Sequence, residues 1–135
     1  MVLVVDASVA AVWCLPDEDS SLADAAIDRL RGEDALVPAL FWFESRNLLL
    51  MAERRGRLQP VQTAALLVFL DALPIQADHT PSGDTLLALA RRYRLTVYDA
   101  AYLELAQRTG APLATLDRRL AAAATDEGVS LMKAE

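Results

Sequence analysis

The residues Val2-Leu3-Val4-Val5 form an unbroken apolar run, closed at once by Asp6. A strand with one wet face alternates apolar and polar side chains, so a run without alternation marks a strand buried on both faces, as in parallel sheets. Short runs recur at Ala35-Leu36-Val37, more weakly at Ile75 to Ala77, at Leu113 to Thr115 and at Val129 to Met132. Between them the apolar spacing is helical. It predicts helices over 7–15, 20–31, 38–55, 60–73, 81–94, 99–109 and 117–124, with Leu95 to Tyr98 as an extended connection. Pro38, Pro60 and Pro81 open helices, while Gly32, Gly56 and Gly110 stop them. Strands separated by helices imply an α/β fold with a central parallel sheet of four to five strands, flanked by α-helices and linked by right-handed crossovers. With no linker or repeat to divide the chain, residues 1–135 read as a single domain.

An apolar fraction of 54% supplies a core without disulfides or a structural metal. No stretch approaches the roughly 20 apolar residues that span a bilayer. The opening run is too short, and lacks the basic flank, for a secretion signal. A cytoplasmic protein is expected, and the lone Cys14 among Ala11, Val12, Trp13 and Leu15 suits a buried, inert thiol. The net charge of −6 argues against nucleic acid as a partner only if the acids are spread over the surface. All the basic residues but Lys133 are arginines, clustered at Arg54/Arg55/Arg57, Arg91/Arg92/Arg94 and Arg118/Arg119. Most are expected at solvated helix ends favoured by the macrodipole.

Four acids sit in or against apolar stretches: Asp6, Glu44, Asp99 and Asp117. A buried carboxylate without a partner costs several kcal/mol or neutralises itself, and a shared divalent cation satisfies several at once. Asp6 and Asp117 follow predicted strands, on the rim where open parallel sheets bind ligands. Each could equally cap the helix after it, as could Asp99, although none has Glu or Gln three residues on to complete a capping box. Glu44 is no cap. Helical offsets place it on a stripe with Leu40, Phe41, Leu48 and Met51, with Asn47 as polar neighbour, so it is expected to face the core and to bind a metal or a distant arginine. Ser8 and Thr115 lie two residues from Asp6 and Asp117 and could support the same rim or bond their own backbone. A single His79, in a polar loop, offers no zinc set and no convincing nucleophile–base system. The donors that remain are oxygens, which select Mg²⁺ or Mn²⁺.

These pieces, in this order, resemble the PIN-domain ribonucleases, and among them the toxins of VapBC-type toxin–antitoxin pairs. The matching segments are Val4-Val5-Asp6-Ala7-Ser8, Glu44 with Asn47, Tyr98-Asp99-Ala100-Ala101-Tyr102-Leu103 and Thr115-Leu116-Asp117. The resemblance implies a pocket gathering Asp6, Glu44, Asp99 and Asp117 around Mg²⁺, with Mn²⁺ as a substitute. It also implies endonucleolytic hydrolysis of RNA, a homodimer, and a cognate antitoxin whose C-terminal segment fills the groove. On this view Asp6, Asp99 and Glu44 hold the first ion directly or through water, and Asp117 completes the site or helps a second. Two other classes compete. An aspartate-phosphoacceptor hydrolase would use Asp6 as nucleophile, but Ser8 stands where a second acid is needed. A non-enzymatic acidic module would dock an arginine-bearing partner. Trp42, beside Phe41 and Phe43, points off the Glu44 stripe and is expected either at an interface or under a neighbouring helix.

Overall fold

A computed structural model describes residues 1–134. The elements run β1 (Val2–Val5), α1 (Ala7–Cys14), α2 (Ser21–Arg29), β2 (Asp34–Pro38), α3 (Phe41–Arg54), α4 (Pro60–Ala72), β3 (Ile75–Asp78), α5 (Gly83–Tyr93), α6 (Val97–Thr109), β4 (Leu113–Ala114) and α7 (Arg118–Asp126). The four strands are all parallel in the order β3-β2-β1-β4. The chain therefore builds outward from β1 through β2 to β3, then returns to the other side of β1 for β4. That reversal makes a switch point between β1 and β4, and open parallel sheets bind ligands beyond the carboxyl ends of the strands at such a point.

β1 is buried on both faces, as its unbroken apolar run requires. Val4 packs with Leu89, Leu103, Leu105 and Leu120 from α5, α6 and α7. Leu3 and Val5 pack on the opposite side with Val9, Ala23, Ala26 and Leu30 from α1 and α2. Each valine or leucine so buried contributes about 1.5–3 kcal/mol. A third cluster, with Cys14, Leu15, Leu49, Ala52, Leu58 and Leu70, joins α1 to the α3–α4 pair. Burial pushes the Cys14 thiol up to about 11, in keeping with an unreactive core residue.

Several boundaries differ from the sequence reading for identifiable reasons. Pro38 ends β2 rather than opening α3, which begins at Phe41 after Leu40 with no side-chain cap. Pro38 is tolerated there because it closes a strand, where its missing N–H breaks no internal ladder. The segment expected to be extended over Leu95 to Tyr98 is already helical from Val97, because Thr96 caps α6 and accepts from the Asp99 amide at 3.1 Å. β4 stops at Ala114, and the fifth strand is reduced to one parallel bridge between Leu113 and Leu131. The buried stripe of α3 is Phe41, Ser45, Leu49 and Ala52, one position round from the stripe read for Glu44. Among the described residues no helix is long and apolar enough to cross a membrane.

Candidate active site

Asp6 leaves the end of β1 and caps α1, its Oδ1 accepting from the amides of Ser8 at 3.1 Å and Val9 at 3.3 Å. Ser8 Oγ also donates to that oxygen at 2.5 Å and accepts from the Leu116 amide at 2.9 Å. The second oxygen, Oδ2, accepts from Thr115 Oγ1, which in turn accepts from the Asp117 amide at 3.0 Å. Asp117 then caps α7 through Oδ1, from the amides of Arg119 at 2.9 Å and Leu120 at 3.3 Å. Ser8 and Thr115 thus stitch the ends of β1 and β4 together across the switch point. For Asp6 and Asp117 the capping and rim readings hold at once, because a cap at the start of a βα helix lies on that rim.

Glu44 and Asp99 come from α3 and α6. Glu44, in the first turn of α3, is half-buried, and its Oε1 accepts from the Tyr102 hydroxyl at 2.6 Å. It flanks the buried stripe instead of lying in it, within electrostatic reach of Asp99 and Asp6. Asp99 lies in the first turn of α6 but does not cap it, since Thr96 does. Asn47 is exposed on α3, and no side-chain hydrogen bond ties it to Glu44 among the described residues.

The electrostatics show which acids share a neighbourhood. Burial raises the Asp6 carboxyl above its ordinary range, and the Ser8, Thr115 and backbone donors offset part of that rise. Burial also raises Glu44, with the charges of Asp99 and Asp6 adding to it and Tyr102 opposing it. Asp99 is raised by burial and then by Asp117, and is held down in part by Thr96 and Arg119. The four acids therefore form a chain of like charges, each within electrostatic reach of another.

Whether these residues fit a divalent ion depends on donor chemistry and on convergence. The donors are carboxylate and hydroxyl oxygens, a hard set suited to Mg²⁺ or Mn²⁺. Among the described residues, however, no three acidic, cysteine or histidine side chains stand close enough together to share one ion. Asp6 and Asp117 are committed to their caps. Glu44 is anchored by Tyr102. The donor chemistry fits such an ion, while the described side chains as placed do not gather three ligands. A concavity of about 870 Å³ lies elsewhere, between α2 and the segment beside Pro112 and Lys133. It is near the start of β4, whereas the acids follow the strand ends.

Two features escaped the sequence reading. Tyr102 is only 1% exposed, and its hydroxyl is the polar partner of Glu44. Its spacing from Asp99, one helical turn on α6, was the available signal. Glu104 is 2% exposed and is held by Arg108 at 2.7 Å, while Arg108 also reaches Asp78 at 2.6 Å. That network ties α6, which carries Asp99, to the end of β3. Nothing in the local sequence distinguishes Glu104 from a solvated helix residue.

The fold and the site together define an α/β protein with Asp6 and Asp117 at a sheet switch point and Glu44 and Asp99 within electrostatic reach of them. The PIN domain family model matches residues 3–126, and the chain belongs to that family. It is similar to Ribonuclease VapC3 of Pyrobaculum aerophilum, 38% identical over 125 residues that cover 90% of this chain and 93% of that protein. Its fold is similar to the crystal structure of PAE2754 from Pyrobaculum aerophilum, with a TM-score of 0.67, 29% identity, and coverage of 91% of this chain and 87% of the other.

Proposed function

We propose that this chain, as one domain, is a divalent-metal-dependent endoribonuclease that acts in the cytoplasm as the toxin of a toxin–antitoxin pair. The observation that carries the reading is the run of contacts from Ser8 through Asp6 and Thr115 to Asp117 across the β1–β4 switch point, with Glu44 and Asp99 adding like charge above it. PIN-family membership and the similarity to a protein named as a ribonuclease favour RNA hydrolysis over an aspartate-phosphoacceptor reaction. Asp6, Glu44 and Asp99 would hold Mg²⁺ or Mn²⁺, and Asp117 would complete the set. When bound, such an ion lowers the pKa of a coordinated water and neutralises charge on the phosphate.

The protein's own residues account for the remaining steps. Ser8 and Thr115 fix both oxygens of Asp6, and Oδ2, which accepts from Thr115 alone among the described residues, keeps a lone pair for a cation. Tyr102 fixes one oxygen of Glu44. Burial raises Asp6, Glu44 and Asp99, neighbouring acids add to the rise of the last two, and both effects favour a cation beside them over the ionised carboxylates alone.

The partners follow from the same reading. An antitoxin would cover the acids at the switch point. A homodimer is supported by α4, which is apolar around most of its circumference yet leaves Val61 and Val68 exposed, with Ala64 and Ala65 between them. The test is incubation of purified protein with single-stranded RNA in Mg²⁺, in Mn²⁺, in EDTA, and as Asp6→Asn. Cleavage in either metal that disappears in EDTA and in Asp6→Asn is expected. Cleavage that survives both removes the reading.

A further inference from the structure

The arginines of this chain divide into two groups. Arg29, Arg31, Arg46, Arg57, Arg92 and Arg108 are in ion pairs with acids. Arg54, Arg55, Arg91, Arg94, Arg118 and Arg119 have no such pair among the described residues. Three of this second group occupy positions that work against the fold. Arg118 and Arg119 are the first two residues of α7, which has no acid in its first turn. Cations at a helix N-terminus oppose the macrodipole, so the macrodipole argument that accounts for Arg91 and Arg54 at the ends of α5 and α3 fails for this pair.

Arg94 closes α5 in the left-handed conformation at φ 54°, the one non-glycine residue with positive φ among those described. At the ends of α3, α6 and α7 the same left-handed turn is taken by Gly56, Gly110 and Gly128. Glycine is the residue that adopts this conformation without strain. These arginines also meet: Arg119 Nη2 donates to the Arg94 carbonyl at 2.8 Å. Arg118 and Arg119 directly follow Asp117, the cap of α7, so the group borders the acids at the β1–β4 switch point. Two cations set against a helix dipole and a third in a left-handed turn, none of them in an ion pair among the described residues, mark a site that serves something outside the chain.

We infer that Arg94, Arg118 and Arg119 form a subsite for the RNA backbone, taking phosphates that flank the scissile bond beside Asp99 and Asp117. The inference rests on the nuclease reading above and adds to it where the substrate lies. A chain with a net charge of −6 needs a local cationic anchor to hold a polyanion. The guanidinium fork matches phosphate geometry. RNA is favoured over an acidic partner protein because the patch adjoins the groups proposed to act on a phosphodiester.

The test uses the full chain in an Asp6→Asn background, so that RNA is bound and not cut. Affinity for a fluorescein-labelled single-stranded RNA is followed by anisotropy across a KCl series. Each lost phosphate contact lowers the salt slope by about 0.7 for single strands, or roughly fivefold in affinity at 0.1 M salt. Arg118→Gln with Arg119→Gln is expected to weaken binding about 25-fold and to flatten the slope by about 1.4. Arg94→Gly is expected to weaken RNA binding while holding or raising the melting temperature, opposite directions that a merely structural residue would not produce. Arg54→Gln with Arg55→Gln removes equal charge at the far end of α3 and should leave affinity unchanged. The inference is overturned if the Arg118/Arg119 variant keeps wild-type affinity and slope, if the Arg54/Arg55 control loses as much, or if only binding of a protein partner is affected. Failure of the patch-intact protein to bind RNA at all would overturn the nuclease reading as well.

Discussion

Replacing Tyr102 by Phe removes one atom from the interior and leaves the ring packed where it is. Tyr102 is 1% exposed, and its hydroxyl donates to Glu44 Oε1 at 2.6 Å. A hydrogen bond to an ionised acceptor contributes about 1.5–3 kcal/mol. Glu44 is only half-buried, so water hydrates the freed oxygen and brings the expected loss to the lower end, about 1–1.5 kcal/mol. For a chain of this length that corresponds to a fall of roughly 5 °C in melting temperature. The assay is a double-mutant cycle of Tyr102→Phe and Glu44→Ala, read by urea and thermal unfolding in EDTA. A coupling of about 1 kcal/mol is expected near neutral pH, shrinking as the solution is acidified and Glu44 is protonated. The reasoning is refuted if the coupling is below about 0.3 kcal/mol, the level of independent sites. A Tyr102→Phe protein that melts with the wild type would refute it equally.

Three further expectations concern the same framework. Thr115→Val keeps the shape but removes the donor to Asp6 and the acceptor for the Asp117 amide, so a loss of about 2–3 kcal/mol is expected by urea unfolding. Arg108→Met leaves Glu104 buried with little compensation and should destabilise by about 3 kcal/mol, while Glu104→Gln combined with it restores part of the loss. The pH dependence has a definite sign. Asp6, Glu44 and Asp99 have native carboxyl pKa values raised above the 3.8 to 4.5 of the unfolded chain, so the native state binds more protons and stability in EDTA falls as pH rises through the window above those values. Asp17, Asp78 and Glu127 are depressed, by Arg57, Arg108 and Tyr93 respectively, and their stabilisation disappears on the acid side as pH falls below 3.8 to 4.5. Thermal melts across pH 4 to 8 should show metal-free stability greatest on the acidic side of neutral. Saturating Mg²⁺ should then lift the neutral limb, by roughly 10 °C at a hundredfold excess over Kd.

What could be read in advance depended on how local the physics was. The unbroken Val2–Val5 run settled a strand buried on both faces, and Asp6 immediately after it settled a position on the sheet rim. The order β3-β2-β1-β4, which brings Thr115 onto Asp6 across the switch point, depends on long-range pairing and leaves no local trace. Glu44 was singled out on a stripe one position away from the buried one, because Phe41 belongs to both offsets and Ser45, a polar residue, is 3% exposed. Asp99 looks like a cap in sequence because Thr96, the cap of α6, falls in a segment whose local pattern is extended. Trp42 is exposed, lying edge-on to Phe43 at 5.0 Å with the Arg46 guanidinium 4.2 Å over its ring. Arg46 stands one turn from Trp42 and Phe43 directly beside it, so these contacts stay within α3 and leave Trp42 at the surface.

The central claim is that these acids hold a divalent ion at the β1–β4 switch point, and Mn²⁺ binding followed by calorimetry on the metal-free protein tests it without reference to any substrate. Specific binding by the wild type is expected, weakened at least tenfold in Asp6→Asn, Glu44→Gln and Asp99→Asn taken singly, each folded by circular dichroism. Absence of specific binding by the wild type, or binding that none of the three substitutions alters, would contradict the account.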